Sequence, residues 1–263
     1  MDLGLGGKTA LVFGGSKGLG RGTAEALAAE GTRLALVARD PTVLDETART
    51  ISERFGVPVH AFPSDLADAA ATLSAVSQAT TALGGRIDIL INNTGGPPPG
   101  PVAGVASELW EAQFRAMVLS VFMITNQVLP AMRANGWGRV LTVASTVVIE
   151  PNAALGLSNA LRSTLVGWSK TLAGEVAGDG VTVNLLLPGQ IATDRTMFLD
   201  QAAAARAEVS VEEIKARKLL AIPAGRYGTP LEFGAVAAFL ASEQAAYVTG
   251  TMMRIDGGVL RSV

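Results

Sequence analysis

Residues 9–20 read TALVFGGSKGLG, and a stretch of helical period, Arg21 to Glu30, follows them. The run Thr9 to Phe13 has the length and apolar character of a buried strand. The turn Gly14-Gly15-Ser16-Lys17-Gly18-Leu19-Gly20 then leads into the helix. Strand, glycine turn and helix in that order open a βαβ unit. Glycine lets the backbone turn sharply and approach a pyrophosphate, while the helix N-terminus supplies free amides and a favourable dipole. A purely structural tight turn uses the same glycines, so the position inside a βαβ unit carries the weight. Gly14, Ser16, Lys17, Gly18, Leu19 and Gly20 are expected to hold the phosphates of a dinucleotide.

Outward from this stretch, short aliphatic runs alternate with longer segments of helical period. The strands are expected at Thr9 to Phe13, Arg33 to Ala38, Val57 to Pro63, Ile87 to Asn92, Gly138 to Ala144, Val181 to Leu187 and Met252 to Ile255. This pattern predicts an α/β fold: a doubly wound, parallel, seven-stranded sheet covered on both faces, in a single domain spanning 1–263. Asp40 before Pro41 and Thr229 before Pro230 are helix starts, and Gly56 is a helix stop. Ser107 to Asn135 reads as a long helix buried by sheet and neighbours together, with part of its surface meeting another subunit. Residues 193–225 read as a substrate lid, with Ser210 and Glu213 as a capping box. The loop Gly95 to Pro101 (GGPPPGP) is stiffened by its prolines and is expected to form a pocket wall.

Composition narrows the classes further. Of 263 residues, 49% are hydrophobic, 17% charged and 5% aromatic, which excludes disordered and collagen-like chains. A net charge of -2 without like-charge runs argues against a nucleic-acid partner. Zero cysteines remove thiolate metal sites and disulfides, and one histidine, His60, removes multi-histidine metal clusters, so no metal is expected. His60 falls in the third strand and reads as structural. No apolar run approaches the length of a membrane span, and MDLGLGGK at the start is unlike a signal sequence, so a cytoplasmic protein is expected.

The second strand decides between the two nicotinamide dinucleotides. A site for NAD places an acid at its end to accept the ribose 2′-hydroxyl, whereas here it ends Val37-Ala38-Arg39. Arg39 and Lys17 are suited to a 2′-phosphate, which makes NADP(H) the expected cofactor, although Asp40 next door also lies within reach of a ribose.

With these motifs in place, the chain resembles the short-chain dehydrogenase/reductase family from about Lys8 to Gly258. Asp65-Leu66 is similar to the family's adenine-contacting pair, and Asn92-Asn93-Thr94-Gly95 to its Asn-Asn-Ala-Gly signature. Pro188-Gly189, Ile191 and Thr193 match the nicotinamide-side segment. Arg226-Tyr227-Gly228-Thr229-Pro230 and Val248-Thr249-Gly250 through Asp256-Gly257-Gly258 match the C-terminal pattern. The resemblance implies that Asp65 and Leu66 meet the adenine and that Asn92, Thr94, Gly95, Ile191 and Thr193 line the ribose and nicotinamide side. It also implies a homodimer or homotetramer acting on a small-molecule substrate.

The same resemblance exposes departures at the catalytic end. Family members use a tyrosine acid/base, a lysine four residues later, a serine and a helix asparagine. Ser145 matches the serine, but the tyrosine position is Ser158, the lysine position Arg162 and the asparagine position Met117. The only tyrosines, Tyr227 and Tyr247, lie in the C-terminal segment, so a relocated phenol is not expected. Ser158 and Arg162 stand at i and i+4 on one helix face and are expected to converge with Ser145. Arginine stays protonated and cannot act as a base, yet it can hold a ribose and stabilise a developing oxyanion. Three accommodations follow. Ser145, Ser158 and Arg162 polarise a carbonyl while solvent or a ribose hydroxyl relays the proton; or the acceptor is an imine or quinone needing little acid help; or the chain binds NADPH without turnover, as a sensor or partner subunit. Glu150 and Asn159 are weaker candidates for the pocket.

Overall fold

The computed structural model describes residues 2–262. Its seven strands are β1 (Thr9–Phe13), β2 (Arg33–Ala38), β3 (Val59–Pro63), β4 (Ile89–Asn92), β5 (Gly138–Val143), β6 (Val181–Pro188) and β7 (Met252–Ile255). They form one sheet in the order β3-β2-β1-β4-β5-β6-β7, and each pairing is parallel. The expected doubly wound, single-domain sheet is what the chain adopts. Strand order reverses between β1 and β4, and a crevice opens beyond the carboxyl ends of the strands at such a point.

Differences from the sequence reading concern where elements begin and end. β3 and β4 start two residues later than expected, because Val57 and Ile87 are buried but lie outside the pairing ladder. β5 stops at Val143, one residue short, and β6 runs one further, to Pro188. Helix α1 (Gly18–Ala29) begins inside the glycine turn rather than at Arg21.

Helix α2 (Pro41–Phe55) starts as expected: the Asp40 carboxylate accepts from the Val43 amide at 3.1 Å, and Gly56 closes the helix in the left-handed conformation. Helix α3 (Ala69–Ala82) is capped the same way by Asp68. The long helix is three pieces: α4 (Ser107–Phe114), a π-helical turn over Arg115–Leu119, and α5 (Ser120–Ala134). Within the 28 residues Ser107–Ala134 an 18-residue window reaches mean hydropathy 1.3, which by length and composition alone would suffice to cross a bilayer and is equally the make-up of a core helix. Its inward face covers the sheet: Met117, Val118 and Val121 pack with Leu185 and Leu187, while Ile124, Val128 and Met132 pack with Leu11, Phe13 and Val140.

Beyond β5 lie α6 (Gly156–Val176), α7 (Asp194–Ala207), α8 (Val211–Ala221) and α9 (Pro230–Ala241). Ser210 caps α8 by accepting from the Glu213 amide at 3.1 Å, but the return half of the expected capping box is absent because Glu213 pairs with Arg217 instead. The full reciprocal box forms at α9, between Thr229 and Glu232.

Candidate active site

The glycine turn sits directly on the end of β1. Gly18 has φ +52°, and a Cβ on Gly20 would lie 2.1 Å from the Gly14 carbonyl oxygen, so only glycine permits this close approach. Thr47 Oγ1 donates to the Ser16 carbonyl at 3.0 Å, and the Gly15 amide donates to Val37 at 3.2 Å, which fixes the turn against β2. Lys17 takes the N-cap position of α1 without a side-chain cap, and no acid occupies the first turn. The first-turn amides are therefore available to an anion. Leu19 lies in that same turn and packs on the core.

The neighbouring strand ends surround this cradle. Arg39 follows β2 and is exposed, as is Lys17, and neither forms an ion pair among the described residues. Asp40 is committed to capping α2. Asp65 is exposed after β3, its carboxylate accepting from the Ala67 amide at 3.0 Å, and Leu66 packs beside it on the core. Asn92 is buried at the end of β4, donating to Thr125 at 3.1 Å and Thr142 at 3.3 Å, while its Oδ1 has no partner. The buried Thr94 hydroxyl also lacks a partner. Ile191 is buried and bridges to Gly228. Thr193 caps α7, and its Cγ2 lies 3.3 Å from where a Cβ on Gly18 would stand, so the segment after β6 reaches the glycine turn. The unpartnered Thr94 and Asn92 oxygens, the uncapped amides and the two free cations together fit a phosphorylated dinucleotide.

On the other side of the crevice, Ser145 follows β5 and its Oγ accepts from the Val147 amide at 3.3 Å, which leaves its proton free. Ser158 and Arg162 lie on α6 and are both 7% exposed. The Ser158 hydroxyl makes no hydrogen bond among the described residues. Arg162 donates to the Val143 carbonyl at 2.7 Å and to the Gly95 carbonyl at 3.3 Å, so its guanidinium spans the ends of β4 and β5. Burial, and then the charge of Arg195, bring its pKa down to about 10, which still leaves it protonated at neutral pH. Met117 is buried in the π-helical turn and contributes packing only.

Arg195 is the residue that sequence reasoning missed. It lies in the first turn of α7, where a cation opposes the helix dipole, and that placement is the one signal the sequence offered. It donates to the Pro97 carbonyl at 2.7 Å, and its guanidinium lies 5.4 Å from the centre of the Phe198 ring.

Other candidates stand apart. Glu150 is exposed. Asn159 donates to the Asn152 carbonyl at 2.8 Å, holding its own loop. His60 is exposed on the edge strand β3. Tyr227 donates to Asp200 at 3.1 Å, and burial together with that carboxylate pushes its pKa up to about 12.

Sheet order and cradle together define an α/β dinucleotide-binding protein with its site at the carboxyl ends of the strands. Comparison with known proteins sharpens this: residues 14–260 match the family model described as Enoyl-(Acyl carrier protein) reductase, and the chain belongs to the short-chain dehydrogenase/reductase family. It is 34% identical over 253 residues to the 3-oxoacyl-[acyl-carrier-protein] reductase FabG of Escherichia coli (strain K12), covering 96% of this chain and 97% of that one. Among solved structures, L-sorbose reductase from Gluconobacter frateurii, complexed with NADPH and L-sorbose, superposes with a TM-score of 0.94 at 31% identity, covering 100% of both chains. An actinorhodin polyketide ketoreductase with NADPH gives 0.92 at 31% identity, covering 97% of this chain and 98% of that one.

Proposed function

We propose that this chain is an NADP(H)-dependent carbonyl reductase whose catalytic set is Ser145, which the family shares, with Ser158 and Arg162 at the tyrosine and lysine positions. The observation that carries the reading is the Arg162 guanidinium, buried across the ends of β4 and β5 with no carboxylate beside it. NADPH supplies the hydride when bound. Lys17 and Arg39 hold its 2′-phosphate, Gly14 to Gly20 the pyrophosphate, Asp65 and Leu66 the adenine, and Asn92, Thr94, Gly95, Ile191 and Thr193 the ribose and nicotinamide side. The kinship with FabG and with NADPH-bound ketoreductases supports this assignment.

In the reaction, the Ser145 hydroxyl donates a hydrogen bond to the substrate carbonyl oxygen and keeps its proton. Arg162 stabilises the negative charge that develops there, an effect strengthened by a low-dielectric surrounding. Ser158, with no partner of its own, passes a proton from solvent to the new alkoxide. A serine is a weaker acid than a phenol, so the positive potential of Arg162 is the main aid to the chemical step. Residues 193–225 close over the site as a lid.

The test is NADPH consumption over β-ketoesters, diketones, quinones and cyclic imines, with NADPH binding titrated in parallel. Consumption with the ketones is expected. Consumption confined to quinones or imines would shift the reading to those acceptors, and tight binding with none would overturn it.

A further inference from the structure

Arg162 and Arg195 hang on the same short stretch of loop, one on the carbonyl of Gly95 and the other on that of Pro97. Between them, a Cβ on Gly96 would lie 2.7 Å from Arg195 Nη2, so this guanidinium lies against the loop backbone. The two charges are close enough for Arg195 to lower the pKa of Arg162. Among the described residues no aspartate or glutamate oxygen lies within 4.0 Å of either guanidinium, whereas other arginines of the chain, such as Arg21, Arg86, Arg133 and Arg226, have such a partner.

A pair of like charges, one of them 7% exposed, is unfavourable in a folded protein unless something compensates it. Neither side chain has used its donors up. Of the five N–H donors a guanidinium carries, Arg162 gives two to the chain and Arg195 one. Three donors of Arg162 and four of Arg195 are left without a partner in the chain, and Ser158 stands one turn before Arg162 on the same face of α6. Beside Arg195, Met197 is 54% and Phe198 48% exposed, an apolar rim on the same helix.

We infer that the substrate of this site is an oxo acid: a carbonyl compound with a free carboxylate and an apolar body, the carboxylate lying between Arg162 and Arg195. Guanidinium groups bind carboxylates through paired, charge-assisted hydrogen bonds, and the anion removes the repulsion between the two arginines. The apolar body lies along Met197 and Phe198. Arg195 is thereby a specificity-determining residue, and Arg162 serves both the carboxylate and the oxygen undergoing reduction. This inference deepens the reductase reading and rests on it.

The experiment separates the two. Acetate, benzoate and 3-phenylpropanoate, each with its matched amide, are titrated calorimetrically into the NADP+-loaded protein, with inorganic phosphate alongside. At least one carboxylate is expected to bind tenfold or more tightly than its amide. That ratio is expected to collapse toward one in Arg195→Gln and to return in part in Arg195→Lys. Amides binding as well as acids, a ratio unchanged in Arg195→Gln, or phosphate binding more tightly than every carboxylate would overturn the assignment. NADPH consumption with an oxo acid and its methyl ester is scored separately. Intact carboxylate discrimination without turnover of any carbonyl would count against the reductase reading and leave the anion site standing.

Discussion

Lys17 and Arg39 stand on different elements, the first at the N-cap of α1 and the second just after β2. Both are exposed and without acidic partners, so their cost to the folded protein is small and their charge is available to a ligand. Changing either to alanine is expected to weaken NADPH binding about ten- to hundredfold while NADH binding stays near its original value, since a charge-assisted hydrogen bond contributes about 1.5–3 kcal/mol. Fluorescence titration with both dinucleotides decides it, and equal losses for the two would remove the 2′-phosphate from the account. Arg162 differs because it is buried, and the proposed reaction gives it the oxygen undergoing reduction. Arg162→Ala is expected to lower kcat by about a hundredfold or more, as loss of one oxyanion donor does. Its effect on NADPH affinity should be smaller, and steady-state kinetics that show the reverse split would make Arg162 a cofactor ligand alone.

At the scale of elements, α7 and α8 are tied together by one buried carboxylate. Asp200 on α7 is 4% exposed and is met by Lys218 from α8 and by the Tyr227 hydroxyl just beyond. Burial first, and then Asp200, raise the Tyr227 pKa from its ordinary 10 to about 12. The folded state therefore favours the neutral phenol, and this contribution is complete below pH 10 and lost as pH rises from 10 to about 12, where the unfolded chain ionises first. Thermal midpoints measured across that interval are expected to fall more steeply for the natural chain than for Tyr227→Phe; parallel curves would show that the phenol does not stabilise these helices. The sequence made part of this layout readable. The Asp40, Ser210 and Thr229 caps depend only on neighbours a few residues away, and each is found at its expected position. The π-helical turn at Arg115–Leu119 was not readable, because it is a register shift within a continuous apolar helix and leaves no change in residue type.

For the whole molecule, the sheet was legible because parallel strands buried on both faces are written as aliphatic runs, and the dinucleotide cradle because its glycines sit at one strand–helix junction. The Ser158 and Arg162 pair was legible as i and i+4 on a helix, whereas the meeting of Arg162 with Arg195 is tertiary and has no local signature. Association between copies is equally tertiary, and here the helices on the sheet's outer face supply the argument. Phe114 and Leu119 on the long helix are 39% and 36% exposed, although the inward side of the same helix is fully packed. Phe122 on that helix stacks with Trp168 of α6 at 4.9 Å, so the two longest helical stretches form one continuous surface. A second copy that covers this surface removes Phe114 and Leu119 from water, each buried apolar side chain contributing about 1.5–3 kcal/mol when fully covered. Light scattering is accordingly expected to report a dimer or tetramer of 27.0 kDa subunits. The double change Phe114→Glu with Leu119→Glu places two charges in the contact and should shift the mass toward a single subunit, while the far-UV spectrum stays that of the folded chain. A natural chain that scatters as a monomer would show that these side chains stay in solvent.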